Sequence, residues 1–215
     1  MKNLCVEISR VRQLPKLRRQ IKMQTKELDR FFGYKLSEPL VVLLTSRRQI
    51  DALWGRKTED WSVGWTRERV IYILSPEKYV SESNHRRRSE FWTTLRHEHA
   101  HLYIRSVAGW NVPKWLNEGL ACWLAGQKKR TPPLALALSV TRPMGNFSVM
   151  AYPVGYFWVN ALIRKYGEKK MLTLLRKLGQ TNSPEIFPRI FRAVYGIRWT
   201  KVELEALYQV AGAGG

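Results

Sequence analysis

The stretch LRHEHAHLYI, residues 95–104, carries three of the four histidines in a chain of 215 residues. His97 and His101 are four positions apart, and Glu98 directly follows the first. On a helix, positions i and i+4 lie about one turn apart on one face, so both imidazoles reach a common point. Zinc accepts imidazole nitrogen at about 2.0–2.1 Å and tolerates that bite. Glu98 is too near His97 to ligate easily, and is instead placed to hold a water and take its proton. The stretch therefore predicts a helix bearing a hydrolytic metal site. The plain alternative is a polar helix face that happens to carry imidazoles. His99 falls between the pair on a different face, and is expected to be solvated or hydrogen-bonded. Arg96 and Arg105 are expected to point to solvent.

Working outward, the helix is expected to start near Ser89, a fitting N-cap, and to stop at Gly109. The segment NVPKWLNEGLACWLAGQ follows. Asn111 is a candidate cap, Pro113 suits a first helical turn, and Gly126 suits the end. A catalytic zinc needs a third protein ligand beside an open position. At the spacing that would supply a third histidine, position 107, the chain has Val. The next acidic residue after the pair is Glu118, amid Trp115, Leu116, Leu120, Ala121, Trp123 and Leu124. A carboxylate in so apolar a helix should have a partner. Two helices joined by the turn at 109–112 can bring Glu118 towards the pair, which makes it the expected third ligand.

On the N-terminal side, Leu14, Leu17, Ile21, Leu28 and Phe32 recur at helical spacing, so 14–32 is expected to be an amphipathic helix ending before Gly33. EPLVVLLTS (38–46) reads as a buried strand, and RRQIDALWG as a brief helix closed by Gly55. WSVGWTRERVIYILS (61–75) reads as a hairpin with Val70, Tyr72 and Leu74 on one face. On the C-terminal side, KKRTPPLALALSVTRPMGN (128–146) reads as a long loop. Three apolar-periodic stretches then end at Gly167, Gly179 and Gly196, and a short helix is expected after Thr200. Strands and helices are mixed first and helices follow alone, which predicts an α+β fold.

Composition narrows the class. The chain is 45% hydrophobic and 12% aromatic, with nine Trp, which excludes disorder by composition. Two cysteines, Cys5 and Cys122, exclude a disulfide framework and an all-cysteine zinc finger, and both are expected to be free and buried. No apolar run reaches the roughly 18 residues of a membrane span, and the start lacks a signal-peptide core. A cytoplasmic protein is the expectation. The net charge of +20 attracts anionic partners, but Lys and Arg are dispersed and no nucleic-acid-binding motif accompanies them.

LRHEHAHLYI followed by VPKWLNEGLACWLAG resembles the gluzincin branch of zinc metallopeptidases, above all the small peptidase MA-like proteins, minigluzincins among them. AYPVGYFWVNALIRKYGEKKMLTLL resembles the helix that follows in that group, and the likeness covers roughly residues 38–195. The resemblance implies a small zincin-like domain: a short sheet, the active-site helix, then a helical C-terminal part. The expected organisation is a basic N-terminal helix in 1–35, a strand-rich part with both site helices in 36–126, and a helical part in 127–215, with 36–215 one compact catalytic domain. The resemblance also implies Zn²⁺ held by His97, His101 and Glu118, with Glu98 as general base. It implies a peptide or protein substrate paired to the hairpin edge, and an oxyanion donor from Tyr152 or Tyr156, which the sequence leaves undecided. One departure stands out: larger gluzincins place an Asp four residues after the Glu ligand, and here that position is Cys122, so Asn117 or a backbone carbonyl would have to orient a histidine. Two rival readings remain. One is a weak or inactive zincin-like basic protein that binds nucleic acid or another anionic partner. The other is a latent peptidase whose helix 14–32 covers the cleft.

Overall fold

A computed structural model describes residues 14–110, 112–141, 150–181 and 183–212. Cys5, Asn111, and the loop expected up to 146 where it runs past 141, lie outside these residues. The fold is α+β. The chain divides into two compact units, Met1–Leu102 and Tyr103–Gly215, and the division falls inside one helix.

The first unit begins with α1 (Leu14–Phe32), which stops at Gly33, a glycine in the left-handed region at φ 60°. β1 (Leu40–Leu44) follows, then α2 (Arg47–Trp54), closed by left-handed Gly55. β2 (Gly64–Arg67) and β3 (Val70–Leu74) form the hairpin, with Glu68 at φ 54° in its two-residue turn. The sheet order is β1-β3-β2: β3 pairs parallel with β1 and antiparallel with β2. β2 is therefore an edge strand. Ile71 and Ile73 are fully buried on one side of β3, while Tyr72 lies half-buried on the other, stacked on Trp65 at 5.5 Å. Arg47 fastens the irregular segment after α2. Its guanidinium donates to the carbonyls of Glu59, Asp60, Ser62 and Glu82 and to the Thr58 hydroxyl.

Helix α3 (Glu90–Ala108) closes the first unit and opens the second. Three sides of it meet different surroundings, as the step of about 100° per residue requires. Phe91, Leu95 and Leu102 share one side and join the core of sheet residues Ile71, Ile73 and Leu74. Arg96 and His99 share a second side, where α1 lies: Arg96 pairs with Glu27, and His99 Nδ1 is 3.4 Å from Gln24 Oε1. His97 and His101 occupy the third. One expectation is corrected here. Arg96 does not point to solvent, because Glu27 of α1 is there to neutralise it. Leu17 and Ile21 of α1 join the core formed by the sheet with Phe91, Leu95 and Leu102.

In the second unit, α4 (Lys114–Leu124) crosses α6 (Ala151–Tyr166) at two glycines, Gly119 and Gly155. Between them, the expected long loop holds a short helix, α5 (Leu134–Ala137), and a 3₁₀ turn, Leu138–Thr141. Its prolines were compatible with this, because Pro133 sits at the helix start, where no N–H is required. α7 (Glu168–Gly179), α8 (Phe187–Tyr195) and α9 (Lys201–Gly212) complete the unit. Trp199, half-buried between elements, joins four other aromatic rings. It stacks on Trp115 at 5.1 Å and meets Phe187, Phe191 and Trp158 at their edges. The indole N–H of Trp158 and the Tyr208 hydroxyl donate to the carbonyls of Ala137 and Pro132, which anchors the 132–141 segment.

Candidate metal centre

His97 and Glu98 are buried and His101 is half-buried, all on α3. The Nε2 atoms of His97 and His101 are 3.0 Å apart, and the rings stand nearly perpendicular at 85°. Two nitrogens each about 2.0–2.1 Å from a tetrahedral ion lie roughly 3.3 Å apart, so the pair already has close to the bite that zinc needs. The potential ligand atoms of His97, Glu98 and His101 all fall within 4.8 Å of one another. The two imidazoles are donors that zinc accepts, and with the adjacent carboxylate they make a group that could hold a metal ion.

Glu98 is set by the sheet. It lies on the border between the core side of α3 and the histidine side, and β2 runs beside it at Gly64. A Cβ at Gly64 would come 3.2 Å from Glu98 Cγ and 3.5 Å from Glu98 Oε1. Glycine there lets the edge strand approach the carboxylate closely. One turn earlier, Thr94 Oγ1 is 2.6 Å from the Tyr79 hydroxyl, in a buried hydrogen bond. Burial keeps that phenol protonated, well above its ordinary range. His99 is almost fully buried against α1, as a hydrogen-bonded rather than a solvated residue. Burial pushes its imidazole down to about 4, with Asp29 opposing and Arg96 reinforcing the shift. It is neutral at pH 7 and takes the role of a core polar group.

The remaining site residues belong to the second unit. Glu118 is half-buried on α4, in the turn before the Gly119 crossing. Cys122, one turn further on the same side, is a free and fully buried thiol. Tyr152 and Tyr156 are half-buried on α6 and flank Gly155, the residue that meets α4. Burial raises the Tyr156 phenol, and the neighbouring Cys122 adds to this. Tyr156 therefore borders the edge of α4 that carries Cys122. Lys129 lies 5.9 Å over the Tyr152 ring. Gly64 and the glycine crossing had no marker in the sequence beyond the glycines themselves.

No family model, no curated protein and no solved structure matches the chain. Among the described residues, no helix is long and apolar enough to cross a membrane.

Proposed function

We propose that the protein is a zinc-dependent metallopeptidase of gluzincin type. The observation that carries this is the 3.0 Å approach of the two Nε2 atoms on one helical face, with the buried Glu98 beside them. In this reading His97 and His101 hold the ion, and Glu118 of α4 completes the set. Bound zinc supplies a Lewis acid that polarises a scissile carbonyl and acidifies water.

The chain's own residues do the rest. Glu98 takes a proton from the attacking water and delivers it to the leaving amine, a role typically worth 10²–10⁴-fold in rate. β2 presents an edge with no further strand among the described residues, and it runs past Glu98. An extended peptide can pair with it through main-chain hydrogen bonds. The hydroxyl of Tyr152 or Tyr156 would donate to the developing oxyanion.

The test is metal content and peptide-library cleavage of purified wild type, His97→Ala and Glu98→Gln. The expected outcome is one zinc per wild-type chain, none in H97A, and bound zinc with cleavage reduced at least 100-fold in E98Q. Metal-free wild type, or unchanged cleavage by E98Q, refutes the reading.

A further inference from the structure

The outer side of α1 has no part in the site just described. With a step of about 100° per residue, Lys16, Arg19, Lys22, Lys26 and Arg30 fall within an arc of about 120°. All five are exposed, and only Met23 and Pro15 interrupt them. The opposite arc holds Leu17, Ile21, Leu28 and Phe32, each at most 7% exposed. The helix has two acidic residues, one at each border of the arc, and both have partners. Glu27 pairs with Arg96, and Asp29 accepts the Leu36 backbone N–H at 3.2 Å. Lys16 lies 4.8 Å over the Trp92 ring. Arg19, Lys22, Lys26 and Arg30 form no ion pair among the described residues.

These four cations run along one face over twelve residues, roughly 16 Å of helix. Neighbouring phosphates of one duplex strand advance about 3.4 Å along the axis while winding around it, which puts them about 6–7 Å apart, comparable with one helical turn of about 5.4 Å. The array is held on one helix whose apolar arc is buried, with Leu17 and Ile21 in the core beside the sheet. That same burial leaves α1 no apolar face to insert into a lipid surface, which an interfacial helix requires. We propose that the outer arc of α1 docks on the phosphate backbone of duplex nucleic acid, without reading its sequence. This is independent of the metallopeptidase reading.

The experiment is fluorescence anisotropy of the full chain with a labelled mixed-sequence DNA duplex, across a salt series. If four phosphates are neutralised, affinity falls about 150-fold between 50 and 200 mM salt. The triple variant Lys22→Gln, Lys26→Gln, Arg30→Gln should bind more weakly, with only about a threefold fall over that range. A control removes the same charge from the second unit: Lys169→Gln, Lys177→Gln, Arg189→Gln, all exposed residues of α7 and α8. It should keep the wild-type salt slope. All three proteins should share one melting profile, since every changed residue is exposed. Three outcomes overturn the proposal: no duplex binding by wild type, equal loss in the two variants, or binding to phosphatidylserine vesicles in place of the duplex.

Discussion

Replacing Gly155 by Ala should destabilise the protein by about 2–4 kcal/mol, against the trend for that substitution. In an exposed helix interior, Gly→Ala gains roughly 1 kcal/mol from backbone entropy. Here a Cβ would sit 2.9 Å from both the Trp115 carbonyl carbon and the Gly119 nitrogen, and closer still to the Trp115 oxygen. A Cβ at Gly119 would likewise come 2.7 Å from Gly155 Cα. Ordinary carbon–carbon contact is about 3.5–4.0 Å, so α4 and α6 must part by roughly 1 Å. The obstacle is backbone, which cannot rotate away as a side chain would. A gap of that size forfeits about a quarter to a half of each contact's attraction along the seam. Trp115, Leu116, Leu120, Val154 and Trp158 are buried on these two helices. Overpacking typically costs about 1–3 kcal/mol and more where backbone must move, which exceeds the propensity gain. Chemical denaturation of G155A against wild type measures this. Gly109→Ala is the comparison: it is left-handed at φ 66° with nothing within 4 Å of its Cβ, so its cost is the backbone term alone, about 1–2 kcal/mol. A G155A stability within about 0.5 kcal/mol of wild type, or a larger loss in G109A, would refute the close crossing.

Three further outcomes follow from the same geometry. If the protein is the proposed zinc metallopeptidase, Gly64→Val lowers its cleavage about 10- to 100-fold while zinc content and melting stay near wild type, because branched carbons would push on Glu98; unchanged turnover removes β2 from the site. Arg47→Met should cost about 2–4 kcal/mol in chemical denaturation, since four carbonyls and the Thr58 hydroxyl lose their donor. Arg47→Lys should not restore this, as an ammonium cannot reproduce the planar fork, and full rescue by Lys would show the contacts to be incidental. Deleting residues 1–35 should yield a chain that melts early or fails to fold, because α1 buries its apolar stripe and partners His99 and Arg96; a folded product with raised cleavage would support the latent-peptidase reading instead.

What the sequence made legible depended on whether the cause was local. α1 came out with its observed ends, because its period of 3.6 is clean and Gly33 stops it. The hairpin was also readable, from alternation around a polar turn. The parallel pairing of β1 with β3 was not, since the two strands are separated by α2 and β2 and nothing near either encodes the match. The LALAL run after Pro133 was read as loop because of its prolines, although proline is compatible with the first turn of a helix. At the site, the relation of His97 to His101 follows from helical spacing alone. The approach of Gly64 to Glu98 and the pairing of Arg96 with Glu27 come from tertiary packing, so neither leaves a periodic trace.

α3 shows why a motif can be legible where amphipathic pattern is not. A surface helix displays one apolar stripe, because it has one partner and one solvent side. α3 has a sheet against Phe91, Leu95 and Leu102, and a polar-lined helix against Arg96 and His99. Its polar residues are therefore distributed by partner rather than by exposure. His99 is more buried than either member of the pair it separates. That arrangement has a functional consequence under the proposed reading. A helix clamped on two sides holds Glu98 at a fixed rotation against β2 at Gly64, and so keeps the carboxylate in one place. The buried seam with α1 costs polar desolvation that an apolar contact would avoid. In return it fixes the rotation of α3 about its own axis, since sliding by one residue would leave His99 facing the wrong partner. His99 is thus a register pin: packed on α1, it fixes which face of α3 carries His97 and His101, whose 3.0 Å approach follows from their i, i+4 spacing.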